Sequence, residues 1–222
     1  MAGTGATDPS RGVVVSVNLA RMRQVPMGDL LYDTGIWKLP AEHRVAAREL
    51  GLEGDQQGDL NVHGGRLKAV YAYAEEDIRW WEQQLGRRVE PGGFGENLTL
   101  RGVAVTGALI GERWRIGTAE LLVTQPRQPC WKLGLRMEDP KLPHRFSEAN
   151  RPGAYLSVLK EGELAKGDAV EVVDRPAHPV TIGLLAYLIY TDHRLASLVV
   201  EKFDEDLTSE QWREFLKARL AS

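Results

Sequence analysis

The chain has a single cysteine, Cys130, in 222 residues, so no disulfide can form within it. It also lacks an excess of basic charge. Its 28 lysines and arginines face 31 aspartates and glutamates, for a net charge of −3. Nucleic-acid binders carry a basic domain or stripe, so no nucleic-acid partner is expected. No apolar run approaches the roughly 18 residues that span a bilayer. The N-terminus has no basic segment followed by an apolar stretch of the kind that directs secretion. A cytoplasmic protein without membrane contact is the expectation. Familiar catalytic signatures are missing as well. There is no Walker A loop to cradle phosphates and no Gly-x-Ser-x-Gly turn for a nucleophilic serine. The five histidines and the cysteine are scattered, with no Cys-x-x-Cys or His-x-x-x-His pair to hold zinc.

What is present is an ordinary globular composition, 43% hydrophobic, in a chain longer than the usual domain of roughly 100–150 residues. One larger domain, or a domain with an appendage, is expected. Residues 1–11 read as a disordered lead-in. Strand-like runs follow at Val13–Val17, Lys68–Tyr73, Leu98–Leu100, Val103–Val105, Trp114–Ile116, Glu120–Thr124, Tyr155–Leu159 and Ala169–Val173. Turns rich in glycine and proline separate them, including one around Gly162 and Gly167. A helix is predicted over Glu75–Leu85, with Ile78, Trp81 and Leu85 on one face, and a shorter one within Asp139–Ala149. The fold class read from this is mainly β with some α, a barrel-like β domain with a few helical insertions.

The pattern changes at Asp174-Arg175-Pro176-Ala177-His178-Pro179, a polar, proline-containing linker. Three helical segments follow. Ile182, Leu185, Leu188 and Ile189 share one face, as do Leu195, Leu198, Val199 and Phe203. In the third, Thr208 and Gln211 form a capping box ahead of Trp212, Phe215, Leu216 and Leu220. A helix-turn-helix is disfavoured because the unit carries no notable positive charge to meet phosphates.

Three polar loops carry the candidate chemistry. In Gln125-Pro126-Arg127-Gln128-Pro129-Cys130-Trp131-Lys132 the thiol is a buried hydrophobe, a reactive thiolate or a metal ligand. Two prolines fix the backbone before it, and Arg127 and Lys132 flank it in sequence. Nearby cations favour the thiolate, the form that attacks or binds metal. The long, glycine-dense loop Leu52–Gly65 sets Asp59 four residues before His63, with Gly64 and Gly65 directly after. Those glycines allow close backbone approach and offer amides to an anion, although turn chemistry alone explains His63 equally well. The third loop, Pro91–Asn97, places Glu96 beside Asn97 at a glycine turn.

Taken together these loops resemble the MOSC domain, named for the C-terminus of molybdenum cofactor sulfurase, and within it the YiiM-like branch. The matching pieces are Thr34-Gly35-Ile36-Trp37-Lys38-Leu39-Pro40, Gly54-Asp55-Gln56 with Asp59 and His63-Gly64-Gly65, and Lys68-Ala69-Val70-Tyr71. They continue with Gly93-Phe94-Gly95-Glu96-Asn97-Leu98, Pro126-Arg127-Gln128-Pro129-Cys130 and Arg151-Pro152-Gly153-Ala154-Tyr155. Gly58 departs from the pattern, which has a small residue such as alanine there. The resemblance implies a β-barrel MOSC domain over residues 12–173 and the branch's three-helix (3-alpha) domain over 174–222.

It also implies an association with the molybdenum cofactor, a molybdenum–pterin, and more remotely a family-level link to pyridoxal phosphate. Cys130 becomes the metal's sulfur ligand. Lys38, Lys68, Arg127 and Lys132 become contacts for the pterin's phosphate and carbonyls. His63, Gly64 and Gly65 bind the cofactor or pass protons, while Asp59, Glu96 and Asn97 orient groups around the metal. The implied activity is reduction of N-hydroxylated compounds in detoxification, with electrons from a separate donor protein and a homodimer as an assembly to test. The alternatives are a persulfide or cofactor carrier built on Cys130, or a metal-free Cys130–His63 nucleophile–base pair.

Overall fold

In the computed structural model, which describes residues 11–58 and 64–203, alternation of apolar residues builds a closed β-barrel. In chain order the strands are β1 (Arg11–Ala20), β2 (Arg23–Met27), β3 (Leu30–Thr34), β4 (Lys38–Pro40), β5 (Val45–Arg48), β6 (Gly51–Leu52), β7 (Val70–Ala74) and β8 (Leu98–Arg101). They continue as β9 (Arg113–Ile116), β10 (Ala119–Pro126), β11 (Ala154–Lys160), β12 (Gly162–Leu164) and β13 (Ala169–Asp174). Seven strands circle in the order β13-β9-β10-β11-β7-β8-β1. Arg11–Val13 then pairs antiparallel with Ala169–Glu171 to close the ring. Closure leaves these strands no unpaired edge. β4 pairs with the far end of β1, where the functional loops gather.

Helix α1 (Glu75–Leu85) joins β7 to β8, the parallel pair, as it must, because a parallel connection needs a crossover. Three acidic residues in its first turn suit the positive end of its dipole. β7 is buried throughout, and its period-2 alternation serves two cores. Val70, Ala72 and Ala74 face the barrel interior. Tyr71 and Tyr73 face an aromatic cluster outside it, with Trp81, Phe94 and Phe146. Two short helices, α2 (Trp131–Arg136) and α3 (Leu142–Glu148), add Leu133 and Leu142 to that cluster. This second core is the bed on which the candidate site rests.

Several expectations need correction. Val103–Val105 forms no strand. Both end residues are buried, but the backbone turns, with Val105 N–H donating to the Val103 carbonyl. Apolar, β-branched side chains there fill the core without joining a ladder. The strand expected from Lys68 begins at Val70, after a 3-10 turn over Arg66–Lys68. Gly162 opens the short β12 rather than a plain turn.

After β13 come α4 (Ile182–Thr191) and α5 (His193–Val200). Ile182, Leu185, Leu188 and Ile189 are buried on one face, as expected, within the same hydrophobic cluster as the barrel. The face expected for the next segment holds in part: Phe203, just beyond α5, is buried and Val199 packs against the core, but Leu195 and Leu198 are exposed while Ala196 and Val200 are buried. The third helical segment lies outside the described residues. Among the described residues no helix is long and apolar enough to cross a membrane.

Candidate functional site

One cleft collects most of the polar loops, with a volume of about 90 Å³. That is room for several waters or a small anion, since one water needs roughly 10–15 Å³. Its centre is Asp55. Both carboxylate oxygens accept from Lys38 Nζ at 2.6 Å, and Asp55 also accepts from Asn97 Nδ2 at 2.8 Å and from the Ala20 amide at 2.7 Å. The Lys38–Asp55 pair is almost sealed, with side chains 7% and 2% exposed. Burial holds the Lys38 ammonium below its ordinary pKa, against the pull of Asp55.

Two glycines let the chain come this close. A Cβ on Gly35 would sit 1.9 Å from the Gln56 carbonyl oxygen, and one on Gly58 would sit 2.5 Å from the Thr34 backbone. The one departure from the motif pattern, Gly58, therefore sits where alanine would need the backbone to shift.

Glycine-turn residues form the next wall. Asn97 Oδ1 accepts from the Tyr71 amide at 3.1 Å, so the side chain bridges β7 to Asp55. Glu96 is fully buried and lies behind the cleft rather than on its lining. Its carboxylate accepts from the amides of Gly92 at 2.6 Å and Phe94 at 3.1 Å and from Thr99 Oγ1 at 2.9 Å. Burial raises its pKa, with those hydrogen bonds opposing.

The cysteine loop completes the site. β10 ends at Pro126, and Cys130 sits at the N-terminal cap of α2, its carbonyl accepting from the Leu133 amide at 2.9 Å. The thiol is free, half-buried and on the cleft. Buried Arg127 donates to the Phe94 carbonyl, and its guanidinium lies 4.8 Å from the Tyr71 ring centre. Lys132, also buried, donates to the Asp33 carbonyl at 2.9 Å. Lys68 lines the same cleft. Four cationic side chains thus line a cleft that holds one carboxylate, an arrangement that draws anions.

Cys130, Lys38, Lys68, Asn97, Arg127 and Lys132 all meet here, although they are far apart in sequence. Gly64 and Gly65 do not line the cleft; Gly65, with φ 95°, leads into the 3-10 turn. Asp59 and His63 lie outside the described residues. Asp55, Tyr71 and Tyr155 also line the cleft, though sequence reasoning gave them no role. Their motifs were visible, but nothing local says that Asp55 is the hub. Burial raises the pKa of both tyrosines, so each stays a neutral hydrogen-bonding group.

Among the described residues no three His, Cys, Asp or Glu side chains come together to hold a metal. A metal here would need ligands of its own besides the Cys130 sulfur. The lining suits the metal and the phosphate of an anionic metal–pterin in its chemistry, while the enclosed space itself takes only a small anion. It offers one soft thiol, four cations, and the Gln57 Oε1 acceptor, buried without a partner among the described residues.

A model of the MOSC domain matches residues 59–171. The chain belongs to the MOSC family. YflK of Bacillus subtilis is 32% identical over 93% of this chain and 94% of its own length. The crystal structure of YiiM from Geobacillus stearothermophilus superposes with a TM-score of 0.78 at 30% identity, covering 94% of this chain and 99% of that one. This MOSC chain is thus YiiM-like along almost its whole length. A protein of Gibberella moniliformis named as a reductase is 30% identical over 77% of this chain, which spans only 31% of that longer protein. The MOSC family is associated with the molybdenum cofactor.

Proposed function

We propose that this MOSC protein binds the molybdenum cofactor on Cys130 and reduces N-hydroxylated compounds such as hydroxylaminopurines, amidoximes and hydroxylamines. The observation that carries this reading is the half-buried Cys130 thiol opening onto the cleft that Lys38, Lys68, Arg127 and Lys132 line. The similarity to a protein named as a reductase supports it. Bound there, the cofactor would supply two-electron redox chemistry at the N–O bond, with electrons arriving from a separate donor protein.

The chain's own residues have distinct tasks. Arg127 and Lys132 are anchored by the Phe94 and Asp33 carbonyls, so their remaining N–H groups face an anion with little ordering cost. Asp55 holds Lys38 and Asn97 in place. Converting R–NHOH to R–NH₂ and water consumes two electrons and two protons. Lys38 Nζ is suited to deliver a proton, because its burial weakens its hold on one.

The test is the molybdenum and pterin content of protein purified without chelator from a molybdenum-replete host, beside Cys130→Ser. Stoichiometric molybdenum and pterin in wild type, lost in the variant, with reduction of an N-hydroxylated substrate by chemical reductant, is the expected result. Wild-type protein that stays empty after reconstitution with free cofactor, yet carries sulfane sulfur on Cys130, would replace this reading with the carrier role.

A further inference from the structure

Eleven arginines among the described residues reach a carboxylate: Arg11, Arg44, Arg48, Arg66, Arg79, Arg101, Arg113, Arg115, Arg145, Arg151 and Arg175. Of the seven other described arginines, which form no such pair among the described residues, Arg23, Arg87 and Arg136 lie near one another beside the cleft. Arg23 on β2 is the register partner of Thr34, a cleft residue. Arg136 lies on α2 four residues after Lys132, another cleft residue, and so one helical turn along the same face. Arg87 Nη2 donates to the carbonyl of Met137, next to Arg136, at 2.7 Å.

The Nε of Arg136 is buried with no hydrogen-bond partner among the described residues. A native protein seldom leaves such a donor unmet. Burial holds Arg136 below its ordinary pKa, with the charges of Arg23 and Arg87 adding to the effect. Glu96 and Glu138 oppose it from beyond ion-pair distance. Three like charges with no close counterion repel one another, and a bound anion would relieve that. The Arg23 guanidinium lies over one face of the half-buried Trp37 indole, 5.7 Å from the ring centre, which leaves the opposite face for a base. Guanidinium forks match phosphate oxygens, and an indole face stacks on any nucleobase.

We propose that Arg23, Arg87 and Arg136, with Trp37 beside them, form a subsite for a nucleoside monophosphate, the arginines taking its phosphate and the indole its base. This subsite adjoins the cofactor cleft, and its existence does not depend on what that cleft binds.

The test is calorimetric titration of the full-length protein at low salt with adenosine monophosphate, adenosine and inorganic phosphate. Adenosine monophosphate should bind and adenosine should not. Arg136→Gln and Arg23→Gln should each weaken binding by roughly tenfold or more, the usual scale for a charged hydrogen bond. Trp37→Leu should weaken the nucleotide but leave phosphate unchanged. Arg23 is exposed on a hairpin, so its variant carries the test if Arg136→Gln fails to fold.

Unchanged affinity in the arginine variants, or adenosine binding as well as its phosphate, overturns the proposal. Inorganic phosphate binding as tightly as the nucleotide removes the base from it. Molybdenum and pterin content is measured on the same variants. Cofactor retained while nucleotide binding is lost supports a separate subsite, and loss of both together overturns it.

Discussion

The loops Gly92–Asn97 and Arg127–Lys132 both lead to the cleft, yet they treat their polar groups in opposite ways. In the first, all the chemistry is spent internally. Glu96 takes three donors from Gly92, Phe94 and Thr99, and Asn97 bridges Tyr71 and Asp55. In the second, Arg127 and Lys132 are anchored on the Phe94 and Asp33 carbonyls, but two other groups have no partner among the described residues. Cys130 is free and half-buried, and Gln128 Nε2 is buried without a partner among the described residues. One loop is framework, and the other leaves a thiol open to the cleft. A carboxylate in a conserved-looking motif is therefore no evidence of catalysis until its hydrogen-bond partners are counted.

This contrast can be broken by substitution, because framework changes should cost stability and cysteine-loop changes should cost binding. The largest effect is expected at Lys38→Met, which strands the buried Asp55 carboxylate and should destabilise by about 3–5 kcal/mol. Adding Asp55→Asn should recover part of that loss in urea denaturation.

Next is Glu96→Ala, which unpairs three donors and should cost about 3 kcal/mol. The pH dependence of that cost sharpens the contrast. Burial raises the Glu96 pKa above its unfolded value, so the folded protein holds a proton there that the unfolded chain has released. The stability from Glu96 is therefore fully present below the ordinary glutamate pKa and falls as pH rises through the folded value. The gap between wild type and Glu96→Ala should be wider near pH 4.5 than at pH 7; a gap that widens with rising pH would show the sign to be wrong.

Cys130→Ser should move stability by less than about 1 kcal/mol, since a half-buried thiol adds little packing, while cofactor content falls to background. Loss of soluble protein instead would make the cysteine structural. The smallest effect is expected at Arg48→Ala, whose ion pairs with Glu53 and Glu161 are over half exposed. Its denaturation midpoint should match wild type, as exposed pairs contribute little.

The barrel was legible because alternation and turn residues are local signals. Glu75–Leu85 was readable for the same reason, since Ile78, Trp81 and Leu85 repeat at helical spacing. Val103–Val105 misled because a β-branched run records burial, not pairing. Leu195 and Leu198 of the α5 face were misplaced because eight residues are too few to fix a phase by periodicity when the buried positions include Ala196 and Ser197. For the site, Cys130, Arg127 and Lys132 announced themselves in one proline-framed stretch. Asp55 did not, because its importance lies in partners 17, 35 and 42 residues away.

By itself the sequence determined the residue types available for chemistry: one thiol, cations in or beside glycine and proline loops, and a mainly β chain to carry them. Only the tertiary structure decided which of these face the cleft. It turned Glu96 inward to staple a turn, made Asp55 the hub, and set Arg23, Arg87 and Arg136 near one another without a carboxylate partner among the described residues. The physical reason is that charge and hydrogen bonding are settled between residues distant in sequence, whereas strand alternation, turns and helix faces are settled between neighbours.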